Sequence, residues 1–152
     1  MKRIEIVSKD KRVEMKKYLD AYLKEISKYD DTIVFDKKGN PEYKYFKYYF
    51  TDEGRYPIYF YVDEKIAGIA LVREVAAYSY EIAEFYVFPE FRKDGNALDF
   101  ANMINMKFLG NLRFSTRKEN FKAVRFWERF VNQFESVESI KGDKWVNWSV
   151  KR

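Results

Sequence analysis

Two glutamates, Glu81 and Glu84, stand three residues apart in the apolar run Tyr80-Glu81-Ile82-Ala83-Glu84-Phe85-Tyr86-Val87-Phe88. A carboxylate among apolar neighbours loses hydration, and its pKa rises toward the range where it can take a proton from a substrate near neutral pH. The flanks Ala83 and Phe85 predict this for Glu84. Side chains alternate between faces along a regular strand, so only one of the two glutamates is expected to face any one cleft. For each, the plain alternative is a satisfied carboxylate at the surface or sheet edge. Downstream, Pro89 ends the run, and Glu90-Phe91-Arg92-Lys93-Asp94-Gly95-Asn96-Ala97-Leu98 gathers charges around one glycine. If a helix begins there, its first turn leaves about four N–H groups without intrahelical partners and concentrates roughly half a positive charge, a natural seat for a pyrophosphate. Gly95 would allow close approach of main chain and ligand, Arg92 and Lys93 add positive charge, and small Ala97 lets the helix pack tightly on the strand. Asp94 works the other way: its carboxylate can cap the helix, worth about 1 kcal/mol, and repels phosphate. One glycine among charges is a weak motif by itself.

Neither cysteine nor histidine occurs in the 152 residues. Their absence excludes disulfides, Cys/His zinc sites, thiolate nucleophiles and Ser-His-Asp triads. Proton transfer near neutral pH then falls to a carboxylate of raised pKa, a lysine of lowered pKa, a tyrosine or the amino terminus. No metal is expected. The 29 basic against 24 acidic residues leave a charge of +5. That excess suits an anionic partner, whether nucleic acid, an acidic surface or a phosphorylated cofactor, and equally suits a solvated lysine-rich surface. The charged opening has no apolar run after it, and no run anywhere approaches about 18 apolar residues, so neither a signal peptide nor a membrane span is expected and a cytoplasmic location is the default.

These residues need elements to hold them. Residues 1–152 suit one domain, and a hydrophobic share of 47% with 20% aromatic residues provides a sizeable core. Arg3 to Val7 alternates like a strand, and Val13, Leu19, Tyr22, Leu23 and Ile26 recur at helical spacing up to Tyr29. After a turn at Lys37–Pro41, the ring-dense run Glu42–Phe50 reads as a short second helix. Ile58–Val62 and Ile66–Val72 form a hairpin around Asp63-Glu64-Lys65, and Tyr80–Phe88 is a further strand. Leu98, Ala101, Ile104 and Phe108 share a helical face, with Gly110 where a helix C-terminus favours glycine. Leu112 and Phe114 mark a short strand, Thr116 with Glu119 fits a capping box for the next helix, and Phe134–Val150 holds two closing strands. The sum is an α/β (α+β) layered domain. Tyr43-Lys44-Tyr45-Phe46-Lys47-Tyr48-Tyr49 could stack nucleic-acid bases, but a core-facing helix with solvated lysines is the favoured reading.

With its flanks, the loop becomes more specific. EFYVFPEFRKDGNAL, residues 84–98, resembles the acetyl-CoA-binding signature of the GNAT N-acetyltransferase superfamily: a strand ending in Val and often Pro, then Arg or Gln, two residues, Gly, one residue, and Gly or Ala. Arg92, Gly95 and Ala97 take those places. Asn120-Phe121-Lys122-Ala123-Val124-Arg125-Phe126-Trp127-Glu128 is similar to the second block of that family, and the order of elements agrees along nearly the whole chain. The resemblance implies a GNAT-like fold with a mixed, mostly antiparallel central sheet of about six to seven strands flanked by about four helices. It implies that the main chain of Phe85, Tyr86 and Val87 pairs with the pantetheine arm of acetyl-CoA. The N–H groups of Lys93, Asp94, Gly95, Asn96, Ala97 and Leu98 would hold the pyrophosphate, and Asn120 would touch the pantetheine. Acetyl would pass directly to a primary amine of a small-molecule or peptide acceptor, with the tyrosines of the first two helices near its wall. Glu81 falls where some members place a catalytic glutamate. At Trp127 the family usually offers a tyrosine that protonates the departing thiolate. An indole N–H donates a hydrogen bond but is no general acid, and the spacing of Trp127 with Ala123 and Phe130 fits a core role. Asp94 and Asn96 also replace commoner basic and apolar residues. Two rival readings are a CoA-binding sensor with the same fold and, less favoured, a nucleic-acid binder. Oligomeric state is left open, a homodimer included.

Overall fold

Apolar residues on both faces of one twisted sheet divide the interior into two cores. The computed structural model describes residues 1–152, with β1 (Lys2–Ile6), α1 (Arg12–Ile26), β2 (Arg55–Val62), β3 (Lys65–Ala76), β4 (Ser79–Val87), α2 (Asn96–Lys107), β5 (Asn111–Arg117), α3 (Phe121–Val131), β6 (Val137–Lys141) and β7 (Trp145–Val150) in chain order. The seven strands lie in the order β1-β2-β3-β4-β5-β7-β6. Every pairing is antiparallel except that of β4 with β5, where α2 makes the crossover. Central strands covered on both faces read as continuous apolar runs, which is how β2 and β3 read. Ile58, Phe60, Ala70 and Val72 pack against Phe100 and Ile104 of α2 and Trp127 and Phe130 of α3. Tyr59, Ile69, Leu71 and Tyr86 point the other way, against Met15, Leu19 and Leu23 of α1. No helix is long and apolar enough to cross a membrane.

The expected hairpin is present. Its two turn residues, Asp63 and Glu64, have φ of 47° and 67°, the left-handed geometry that matches strand twist in a two-residue loop. Three expectations need correction. The run Glu42–Phe50 is not an α-helix: only Phe46–Phe50 is helical, and it is 3₁₀. Residues i and i+3 eclipse in that geometry, so Phe46 and Tyr49 both reach the core, which an α-helix would not align as directly. The α-helices are therefore three rather than four. Thr116 caps nothing, because pairing with β7 continues to Arg117, opposite Trp145, and keeps Thr116 in the strand. Asn120 caps α3 instead, its side chain accepting a hydrogen bond from Ala123 N–H at 3.3 Å.

Gly110 is needed for space rather than for helix termination. A Cβ there would lie 2.3 Å from the carbonyl oxygen of Tyr78, the same oxygen that accepts the Asn111 N–H at 2.8 Å. That contact seats the end of the crossover on the β3–β4 turn, so the backbone must shift for any side chain to enter. Gly110→Ala is expected to lower stability by about 2–4 kcal/mol, read as a lower denaturant midpoint with unchanged slope. An unchanged midpoint would remove this contact from the account of the fold.

Candidate active site at the splayed strands

β4 and β5 pair at only three positions, Ser79 with Asn111, Tyr80 with Leu112 and Glu81 with Arg113. Beyond them the strands part. β5 continues to pair with β7, while β4 from Ile82 to Val87 keeps only β3 beside it. The wedge between them is a cavity of about 770 Å³, bounded by β4, by Phe114–Arg117 of β5, and by side chains of α1 and α3. Ligand sites commonly have volumes of about 300–1,000 Å³.

A one-residue bulge decides which side chains enter this wedge. Leu71 pairs with Glu84 but Val72 pairs with Ile82, so Ala83 is an extra residue in β4. The alternation is reset there, and Glu81 and Glu84 lie on the same face and both line the cavity. The expectation that only one glutamate faces the cleft is thereby overturned. Their surroundings differ. Tyr22 Oη donates to Glu84 Oε1 and Tyr43 Oη donates to Oε2, each at 2.8 Å. Burial pushes the Glu84 carboxyl up to about 7, and the two tyrosine hydrogen bonds offset only part of that. Burial together with the Glu84 charge drives both phenols well above their ordinary range, so they remain proton donors in these bonds. Glu81, in contrast, accepts from Arg73 Nε at 2.8 Å and from Arg113 Nε at 3.0 Å, one guanidinium on each oxygen. Both oxygens of Glu81 are thus taken up by charged donors.

At the other end of the cavity α2 begins as expected, with Gly95 as its N-cap at φ 70°. An added Cβ at Gly95 would meet nothing within 4 Å, so the left-handed backbone is what requires glycine. Asp94, also left-handed at φ 57°, does not cap the helix with its carboxylate, which corrects one expectation. Two of the six loop amides are already used: Lys93 N–H donates to Phe91 at 2.9 Å and Asn96 N–H to Lys93 at 3.1 Å. Those of Asp94, Gly95, Ala97 and Leu98 have no acceptor within the protein.

Arg92 and Ala97 line the cavity, whereas Lys93, Asp94, Gly95, Asn96 and Leu98 lie outside its wall. Asn96 turns inward, its Nδ2 donating to the Phe91 carbonyl at 2.9 Å. Arg92 is a strut rather than a free charge. Its Nε donates to the Val87 carbonyl at 2.8 Å, its Nη2 pairs with Glu25 of α1 at 2.9 Å, and its guanidinium rests over the Tyr86 ring. Sequence reading missed Lys2 of β1, whose Nζ donates to the Asp94 carbonyl at 3.1 Å and to Asp99 at 2.6 Å. It anchors the loop from a strand far away in the chain, and no local pattern signals it.

Among the remaining expected residues, Phe85, Tyr86, Val87, Asn120 and Trp127 all line the cavity. Asn120 uses its oxygen on Ala123 and leaves its amide NH₂ without a protein acceptor. Trp127 is buried, its ring centroid 4.3 Å from that of Phe114 and 5.0 Å from that of Phe85. The ring-rich run after residue 42 divides. Tyr43, Tyr45 and Tyr49 line the cavity. Lys44 and Lys47 are exposed, each over the ring of the tyrosine that follows it. That leaves no open ladder of rings for bases. Tyr22 and Arg55 complete this end, and neither stood out in sequence beyond its apolar or charged type.

No known family model and no curated protein matches the chain. Solved structures do. The PaiA N-acetyltransferase from Thermoplasma acidophilum in complex with coenzyme A is 12% identical, with a TM-score of 0.63 over 100% of this chain and 99% of that one. A spermidine N-acetyltransferase from Vibrio cholerae in complex with CoA and spermine is 14% identical, with a TM-score of 0.66 over 99% and 95%. A GNAT family acetyltransferase from Elizabethkingia anophelis with acetyl-CoA bound is 10% identical, with a TM-score of 0.63 over 99% and 98%. At such identities the likeness is one of fold, and it spans the chain nearly end to end.

Proposed function

We propose that this chain, which has the fold of the GNAT acetyltransferases, transfers an acetyl group from acetyl-CoA directly to a primary amine of a small-molecule or peptide acceptor. The observation that carries the reading is Glu84: a carboxyl with a pKa of about 7, held by two phenols in the wedge where β4 leaves β5. Acetyl-CoA would supply an activated acetyl group as its thioester. The residues present suit it. The unengaged amides of Asp94, Gly95, Ala97 and Leu98, at the positive end of α2, would hold the diphosphate. The edge of β4 from Ile82 to Val87, which no strand covers, would pair with the pantetheine arm, and the Asn120 NH₂ would add a donor.

The amine arrives protonated and must lose a proton before it can attack. Glu84 is the group that takes it, directly or through one water, and a base with a pKa near ambient pH is well matched to that task. Tyr22 and Tyr43 fix both carboxylate oxygens, so the base needs no reorganisation to act. Glu81 stays in its double ion pair and orients Arg73 and Arg113. A leaving thiol of pKa about 8.5 needs no strong acid, so the buried Trp127 need not protonate it.

The test is direct. Calorimetric titration is expected to show acetyl-CoA binding, and a thiol-release assay with a panel of amines is expected to show turnover that rises with pH through about 7. Absence of binding overturns the reading. Binding without thiol release on any amine favours a CoA sensor, for which the negative charge of Asp94 beside the free amides is the supporting feature.

A further inference from the structure

We infer that the acceptor amine carries a carboxylate and that Arg55 binds it. This rests on the acetyltransferase reading and narrows its substrate class to amino acids and similar amine–carboxylate compounds.

The charges lining the cavity pair off almost completely. Glu25 pairs with Arg92, Asp30 with Arg117, and Glu81 with Arg73 and Arg113. Glu84 is left with two tyrosine hydroxyls. The wall therefore offers no second free carboxylate to an acceptor with two or more positive charges. Among the arginines the one over is Arg55. It lines the cavity, is half-buried, and forms no ion pair. Its guanidinium carbon lies 5.3 Å from the ring centroid of Tyr49 and 5.7 Å from that of Tyr45. Lys28 and Lys122 also touch the cavity, but both are exposed: Lys28 reaches back over the Tyr29 ring, and Lys122 sits at the start of α3, on the side given to the cofactor.

Position supports the pairing. Arg55 is opposite Arg73, and Glu84 is opposite Leu71, two residues earlier in β3. The side chain of Arg55 shares its face with Tyr59 and hence with Leu71 and Glu84. Two strand spacings and two residues of rise put the Cα atoms of Arg55 and Glu84 roughly 12 Å apart. Arg55 and Glu84 line the same cavity, with Arg73 of the intervening strand and Tyr43 and Tyr49 beside them. A guanidinium beside two aromatic rings and stripped of part of its water can bind a planar carboxylate through two parallel N–H bonds. Its single positive charge balances a carboxylate; a phosphate dianion would need more.

The experiment compares each of several L-amino acids with its C-terminal amide, together with spermidine and phosphoethanolamine, as acetyl acceptors. Affinities of CoA-loaded protein for the N-acetylated acids and amides are measured alongside by calorimetry. In the wild type the best acid is expected to exceed its amide at least about tenfold in kcat/KM and in product affinity, the span of one charge-assisted pair. Arg55→Gln is expected to bring both ratios close to one, mainly through KM, while Arg55→Lys keeps part of them. Acetyl-CoA affinity, measured in both variants, reports that they are folded. The inference is overturned if the wild type treats acid and amide alike, if spermidine or phosphoethanolamine is the better acceptor, or if Arg55→Gln leaves the ratios unchanged. A wild type that does not bind acetyl-CoA overturns the acetyltransferase reading instead. One that binds acetyl-CoA and acetylates amides as fast as acids overturns only the carboxylate assignment.

Discussion

Glu84→Gln is expected to slow acetyl transfer at pH 8 by about 10²–10⁴-fold, the usual contribution of a positioned general base, and at the same time to make the protein more stable. The two effects share a cause. Burial raises the Glu84 pKa from 4.5 to about 7, so folding disfavours the ionised form. This cost is absent below about pH 4.5, grows as pH rises, and is complete above about pH 7, where the shift corresponds to about 3 kcal/mol. Glutamine removes the buried charge while keeping one carbonyl to accept from a tyrosine hydroxyl and an NH₂ to meet the other. A net gain of about 1–3 kcal/mol is therefore expected at pH 8 and none near pH 4. Thermal unfolding at both pH values, beside single-turnover rates, checks the pair of effects. Glu81→Gln should behave in the opposite sense, because Arg73 and Arg113 lose their shared partner: stability falls and the rate drops by less than about tenfold. If Glu84→Gln kept the wild-type rate, or lost stability at pH 8, Glu84 would not be the proton acceptor.

The residue types that raise the Glu84 pKa were legible along the chain, and the geometry that separates it from Glu81 was not. Ala83 and Phe85 forecast a carboxyl that loses hydration, and burial does raise its pKa. The bulge at Ala83 leaves no mark in composition or period, because one extra residue looks like any other strand residue until its neighbour's register is known. The partners that separate the two glutamates are equally remote in sequence. Tyr22 and Tyr43 come from α1 and from the segment after it, and Arg113 comes from β5. Elements set by local periodicity, such as β2, β3 and α2, fell close to where alternation and helical spacing put them. Those set by a competing long-range pairing did not. Thr116 has the spacing of a capping box with Glu119, but the ladder to β7 holds it in the strand and leaves the cap to Asn120. Phe46 and Tyr49 are spaced for a helical face, and a short 3₁₀ turn suffices to bury both. The mouth of α2 was legible as a loop of free amides around Gly95. The Lys2 anchor that steadies it, and the Arg92 strut that uses up its charge on Glu25, depend on β1 and α1 being folded beside it.

Ala97→Glu separates stability from cofactor binding at that mouth. Ala97 is the second residue of α2 and lines the cavity. A carboxylate in the first turn of a helix is favoured by the helix dipole by about 0.3–1 kcal/mol, which offsets part of the packing lost where Ala97 meets the core. The new charge, however, competes for the amides at the helix mouth and stands where the diphosphate would sit. Two like charges about 4 Å apart in surroundings of intermediate polarity repel by about 4 kcal/mol, enough for a loss of about 10²–10³-fold in acetyl-CoA affinity. The expected result is therefore a protein that still unfolds cooperatively, at a melting temperature no more than modestly below that of the parent, with acetyl-CoA binding lost from a calorimetric titration at micromolar protein. Ala97→Ser, which adds an oxygen without charge, should bind within about threefold of the parent, a margin under 1 kcal/mol. The contrast matters because the amides of Asp94, Gly95, Ala97 and Leu98 are unengaged whether or not a phosphate is their natural partner. If the glutamate variant bound acetyl-CoA as tightly as the serine variant, the diphosphate would have to lie elsewhere, and the assignment of residues 92–98 to cofactor binding would fall even if acetyl transfer itself were observed.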